Sequence, residues 1–214
     1  MLTEDRNSKR RPTVLYGKPP CMENFMKHIL YIDSCINRGS SRTERLAQAY
    51  LHKRMAAGDA ELETIVLEEA SLLPLNGEIL AFREQCIAEQ NFSDASFAFA
   101  KSFAAADELV IAAPFWDFSF PAMLKIFLER VCIRDLTFRY TETGGVASLT
   151  RMTSVTYITT AGGYIDADDC GYGYVKKLCR GLFGVEQFRF IGAQGLDIFG
   201  NDPEKLLEQA IGTL

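Results

Sequence analysis

Residues 27–50 read KHILYIDSCINRGSSRTERLAQAY, and the order of their parts decides the fold. HILYID is a short apolar run of strand type, buried on both faces if it pairs in a parallel sheet. The polar stretch from Asp33 ends in Ser40, Ser41 and Thr43, hydroxyls suited to starting a helix. From Arg42 to Ala57, Leu46, Ala49, Tyr50 and Met55 recur near helical spacing, and Gly58 suits the stop. Strand, hydroxyl-rich loop and amphipathic helix make the opening of a βαβ unit.

The same alternation continues to the C-terminus. LETIVL (62–67), ELVIAAP (108–114), TSVTYITTAGG (153–163) and VEQFRFIGAQGLD (185–197) read as further strands. Helices are expected over 92–106, where SFAFAKSFAAAD repeats an aromatic about every four residues, then over AMLKIFLERVC, YGYVKKLCRGLFG and PEKLLEQAIGTL. LLPLNGEIL (72–80) reads as a turn-containing linker, and TFRYTETGG (137–145) as a hairpin or arm. The expected fold class is α/β, a doubly wound five-stranded parallel sheet with helices on both faces. Residues 1–25, rich in charge and proline, are expected to be a loose extension, and 26–214 the domain.

Composition narrows the chemistry. The 214 residues are 48% hydrophobic and 24% charged, with a formal net charge of −5, so no general electrostatic footprint for nucleic acid exists. Only His28 and His52 supply imidazole, which disfavours common zinc sites and histidine-based triads. The cysteines, Cys21, Cys35, Cys86, Cys132, Cys170 and Cys179, form no C-x-x-C pair, and no metal site is expected. No long apolar span or signal-type segment stands out, so a reducing cytoplasm and no membrane association are expected.

In a doubly wound sheet, the loops after the first, third and fourth strands open at one edge. In the first, Ser34, Ser40, Ser41 and Thr43 with Arg42 surround a helix N-terminus, where unpaired N–H groups and the dipole favour phosphate. An ordinary N-cap would look the same. No G-x-G-x-x-G or P-loop pattern is present. Cys35 reads as a buried, inert thiol. In the second loop, Phe115, Trp116 and Phe118 follow Pro114, with Asp117 among them. So many rings at a strand end must pack on core, a partner or a flat ligand. In the third, Thr160, Ala161, Gly162 and Gly163 allow close backbone approach, although glycines also simply turn the chain. Asp166, Asp168 and Asp169 lack calcium-loop spacing and read as a solvated face. A phosphate cradle, an aromatic wall and a backbone clamp at one edge fit flavin mononucleotide (FMN), whose own redox reactivity suits a histidine-poor chain.

On these residues the chain resembles the flavodoxin-like NAD(P)H-dependent oxidoreductases, the group of FMN-dependent NADH-azoreductases and quinone reductases. The likeness runs from about Lys27 to the C-terminus and is densest in 27–50, AAPFWDFSFPAMLKIFLERV, DLTFRYTETGGVASL and TYITTAGG. The family's first loop carries a serine, a spacer and S-x-S or S-x-T around the FMN phosphate; Ser34 and Ser41-Arg42-Thr43 stand there. Its third-strand loop is P-M-Y-N-F against the isoalloxazine, matched by Pro114-Phe115-Trp116-Asp117-Phe118, and its S/T-x-G-G by Thr160-Ala161-Gly162-Gly163. FRYTE (138–142) matches an arm near the active site and dimer interface, making Tyr140, with Phe115 and Phe118, a substrate-pocket candidate.

The resemblance implies tightly bound FMN and NAD(P)H as co-substrate. Hydride would pass through flavin N5 to small aromatic acceptors, quinone, azo or nitroaromatic, in a ping-pong cycle. It also implies a homodimer with the site at the interface, and no side chain acting as an obligatory acid or base. The residues equally allow a flavodoxin-like electron carrier or flavin redox sensor without its own NAD(P)H oxidation. Asp117 departs from the family asparagine, and its negative charge is expected to lower the flavin potential.

Overall fold

The computed structural model describes residues 26–214; the expected extension over 1–25 lies outside the described residues. In chain order the elements are β1 (Lys27–Asp33), α1 (Arg42–Met55), β2 (Ala60–Val66), α2 (Gly77–Ala88), α3 (Ala98–Ala105), β3 (Glu108–Ala112), α4 (Ala122–Val131), β4 (Phe138–Tyr140), β5 (Val146–Ser148), β6 (Ser154–Thr160), α5 (Tyr172–Phe183), β7 (Gln187–Ala193) and α6 (Pro203–Gly212). Five strands form a sheet in the order β2-β1-β3-β6-β7, every pairing parallel. The order turns back at β1, the switch point beside which open α/β sheets bind ligands. TFRYTETGG supplies β4 and the turn that leads into β5, with which β4 pairs antiparallel, as its turn residues suggest.

Each face of the sheet has its own core. On one side α1 and α6 cover Ile29, Tyr31, Val110 and Ile158, with Leu46, Leu51 and Leu207 as their inward contacts. On the other, α3, α4 and α5 cover Leu30, Ile32, Leu109 and Ile111 with Phe103, Phe127 and Phe183. The alternation of β1 residues between the cores is the two-residue period of a strand buried on both faces. Local signals fix the helix ends: the Ser41 hydroxyl accepts from Glu44 N–H, Asp202 caps α6 ahead of Pro203, and Gly184 ends α5 at a positive φ of 66°.

One expectation fails between β2 and β3. LLPLNGEIL is not all linker, because Asn76 caps a helix, its side chain accepting from Ile79 N–H at 2.8 Å, and Gly77 opens α2. Only Cys86 and Ile87 of α2 are buried, so its sequence carries almost no helical stripe. The helix expected over 92–106 shrinks correspondingly to a 3-10 turn at Ala95–Phe97 and α3, with Phe97 and Phe103 inward. Among the described residues, no helix is long and apolar enough to cross a membrane.

Candidate functional site

At the strand C-termini the loops after β1, β3, β6 and β7 surround a cleft of about 840 Å³, counting its mouth, within the size range of small-molecule sites. Of the residues singled out from sequence, Ser40, Ser41, Arg42, Thr43, Pro114, Phe115, Trp116, Thr160, Ala161 and Gly162 line it. Ser34, Asp117, Phe118, Gly163 and Tyr140 do not.

Ser34 is 2% exposed, and both its N–H and its hydroxyl donate to Ala112 O at 2.9 Å. The side chain ties the first loop to β3 rather than facing the cleft. Beneath the loop, the buried Asp33 carboxylate pairs with Arg38 and accepts from Cys35 N–H at 2.9 Å. Burial, with the nearby Asp33 charge, pushes the Cys35 thiol far above its ordinary range, so it stays protonated.

At the polar end of the cleft, α1 begins. Among the described residues, the backbone N–H groups of Ser41, Arg42 and Thr43 make no hydrogen bond within the protein, as expected at a helix N-terminus. The Thr43 hydroxyl is buried and lies 2.6 Å from that of Thr160, joining the first and fourth-strand loops. Arg42 Nη1 donates to Asp197 Oδ1 at 2.8 Å. Asp197 also sits on Gly162: its N–H donates to Gly162 O at 2.9 Å, and a Cβ at position 162 would lie 2.5 Å from its Oδ2. A Cβ at position 162 would thus push the exposed Asp197 carboxylate aside, whereas a Cβ at Gly163 would meet nothing within 4 Å.

At the other end the chain makes a two-residue hairpin. Trp116 and Ser119 exchange backbone hydrogen bonds of 3.1 and 2.8 Å, and Asp117 and Phe118 occupy the left-handed region with φ of 50° and 62°. Asp tolerates that conformation better than most residues, Phe poorly. Trp116 is 44% and Phe118 76% exposed, and the Phe118 ring meets Phe115 edge-on at 6.5 Å. Tyr140 stands on β4, 65% exposed, with its ring edge-on to Phe138.

Sequence reasoning missed Asn37, Ile36, Leu196 and Asp197, which also line the cleft. Asp197 was within reach of it: the loop AQGLD ends the fifth strand at the same edge, but without a hydroxyl or aromatic cluster to mark it. Neither histidine lines the cleft. Among the described residues no group of three or more His, Cys, Asp or Glu side chains is placed to hold a metal ion.

The donor set fits FMN. Unpaired N–H groups, hydroxyls and a guanidinium at one end match a phosphate, and exposed rings at the other match a planar heterocycle.

Comparison with known proteins places the chain. An FMN-dependent NADH:quinone oxidoreductase of Clostridium perfringens is 30% identical over 189 residues, covering 87% of this chain and 95% of its own. A Clostridium acetobutylicum protein named FMN-dependent NADH:quinone oxidoreductase 2 is 31% identical over 192 residues, with the same coverages. Among solved structures, an azoreductase from Bacillus anthracis superposes with a TM-score of 0.75 at 18% identity, covering 88% of this chain and 96% of that one. An FMN-dependent NADH-azoreductase of the same species, solved in complex with FMN, gives 0.70 at 22% identity, with coverages of 88% and 95%. A family profile described as flavodoxin-like fold matches residues 27–214, and the chain belongs to that family.

Proposed function

We propose that this protein is an FMN-dependent oxidoreductase that passes electrons from NADH to quinone and azo acceptors. The observation that carries the reading is the two-ended cleft, with unpaired N–H groups at the start of α1 facing the same space as the rings after β3. The two Clostridium relatives, both named FMN-dependent NADH:quinone oxidoreductases, support the activity and the choice of NADH.

Ser41, Arg42 and Thr43 would hold the phosphate, and Thr160 to Gly162 would lie along the ligand with no bulk at the glycine. Phe115 and Trp116 would form the apolar wall, and the Asp117 and Phe118 N–H groups, which have no partner among the described residues, follow it directly in the chain. When bound, FMN would supply the redox chemistry, two-electron transfer from NADH to an acceptor, nitroaromatics included, and one shared cleft would make the two substrates enter in turn, a ping-pong cycle. The chain's own task is to orient and shield, and no side chain in the cleft is an obligatory proton donor. The exposed Phe118 and Tyr140 are suited to contacting an acceptor or a second copy in a homodimer. All five described cysteines are free, which supports a reducing cytoplasm.

Purified protein tests the reading directly. A yellow preparation that reduces a quinone and an azo dye with NADH, and follows parallel lines in a two-substrate rate analysis, is expected. A colourless protein that stays inactive after FMN addition would defeat it.

A further inference from the structure

Helix α2 covers its surroundings poorly: Leu80 and Phe82 are 42% and 43% exposed, and Leu73 ahead of it is 65% exposed. Between α2, Phe97 before α3 and Ile133 after α4 lies a cavity of about 800 Å³ counting its mouth, sharing no lining residue with the cleft. Leu75, Ile79, Phe97 and Ile133 make its walls apolar. Two guanidiniums, Arg83 and Arg130, also line it.

Neither guanidinium is properly matched. Arg83 Nε is buried without a hydrogen-bond partner among the described residues. The oxygen paired with it, Glu84 Oε1, is 3.9 Å away, and the other oxygen of Glu84 lies 3.5 Å from Arg134. Arg130 forms no salt bridge or side-chain hydrogen bond among the described residues. Burial lowers its pKa, and the neighbouring Arg83 charge lowers it further. Two like charges, partly withdrawn from water and facing one apolar space, are an unfavourable arrangement unless an anion joins them.

We propose that this cavity is a second binding site, for a small amphipathic monocarboxylate whose carboxylate lies between Arg83 and Arg130 and whose apolar body fills the space beside Phe97. A guanidinium fork matches a carboxylate in two parallel hydrogen bonds, and Arg83 and Arg130 each bring a guanidinium to the lining. The walls suit an aromatic or short aliphatic body. Glu78 is the one acidic residue in the lining, and it selects against multiply charged anions such as phosphate esters.

Calorimetric titration of the FMN-saturated full chain tests this, with 4-phenylbutyrate as the probe and the neutral 4-phenylbutyramide as its control. The acid is expected to bind about tenfold more tightly than the amide. Arg130→Gln and, separately, Arg83→Gln are each expected to weaken the acid about tenfold while leaving the amide and FMN within about twofold. Using both variants protects the test from one that misfolds. Equal binding of acid and amide, no heat from either, or acid binding that survives both substitutions would overturn the proposal. So would a dimer that Arg130→Glu dissociates while the acid gives no heat, because the cavity would then belong to a second copy.

Discussion

The two ends of the cleft are built on opposite plans. At the start of α1 nearly everything polar is already tied: Thr43 to Thr160, Arg42 to Asp197, Ser41 to Glu44 N–H, with only the first backbone N–H groups left over. After β3 the chain instead carries two non-glycine residues in the left-handed region and leaves Trp116 and Phe118 in water. One end is organised before a ligand arrives. The other holds strain and exposed apolar area that a planar ligand would cover. The contrast implies that the polar end sets which flavin is chosen, and the aromatic end how strongly any flavin stays.

Arg42→Ala is the sharpest way to break that division. Losing a charged donor should weaken FMN by about 10- to 100-fold, or roughly 1.5–3 kcal/mol. Riboflavin, without the phosphate, should bind as before in a fluorescence titration; equal losses for both would erase the distinction. Trp116→Ala addresses the opposite end, and should weaken FMN and riboflavin alike by about two- to tenfold, the scale of an aromatic contact. A loss confined to FMN would contradict it.

Asp197→Asn refines the picture at the polar end. Its pair with Arg42 is exposed, so freeing that guanidinium is worth about 0.4–1 kcal/mol, seen as FMN binding about two- to fivefold tighter at low salt. Weaker FMN binding would mean that Asp197 helps to hold Arg42 in place. The smallest effect belongs to Asp117→Asn. Removing a negative charge from the hairpin should raise the flavin midpoint potential by on the order of 20 mV in a spectroelectrochemical titration, and an unchanged potential would show the charge to be fully screened.

The same contrast explains what could be read from sequence. Strands buried on both faces, such as HILYID, announce themselves as apolar runs, and the parallel sheet followed from their number and spacing. The loops after β1, β3 and β6 were legible because hydroxyls, rings and glycines cluster in them. Helix α2 was not, since Pro74, Asn76 and Gly77 look like a turn while in fact Asn76 caps, and because a helix with only Cys86 and Ile87 buried has no stripe to detect. Ser34 has a place that its sequence neighbours do not announce. Its hydroxyl was counted with those around the helix start, but it lies one residue past β1, where the sheet's ladder continues and takes it up.

That continuing ladder reaches all the loops around the cleft floor. Ser34 N–H donates to Ala112 O, Ala113 N–H to Ile158 O, Phe115 N–H to Thr160 O and Ala161 N–H to Ala193 O, at 2.9, 2.9, 3.0 and 2.9 Å. Each bond lies beyond at least one strand end, yet together they stitch β1, β3, β6 and β7 to one another under the site. In amide hydrogen exchange these four positions should behave as sheet, giving up their protons only when the whole domain opens, while Asp117 and Phe118 exchange within the dead time. The floor of the site would then lose its shape only with the fold itself, and the breathing that admits a large ring would be confined to the hairpin.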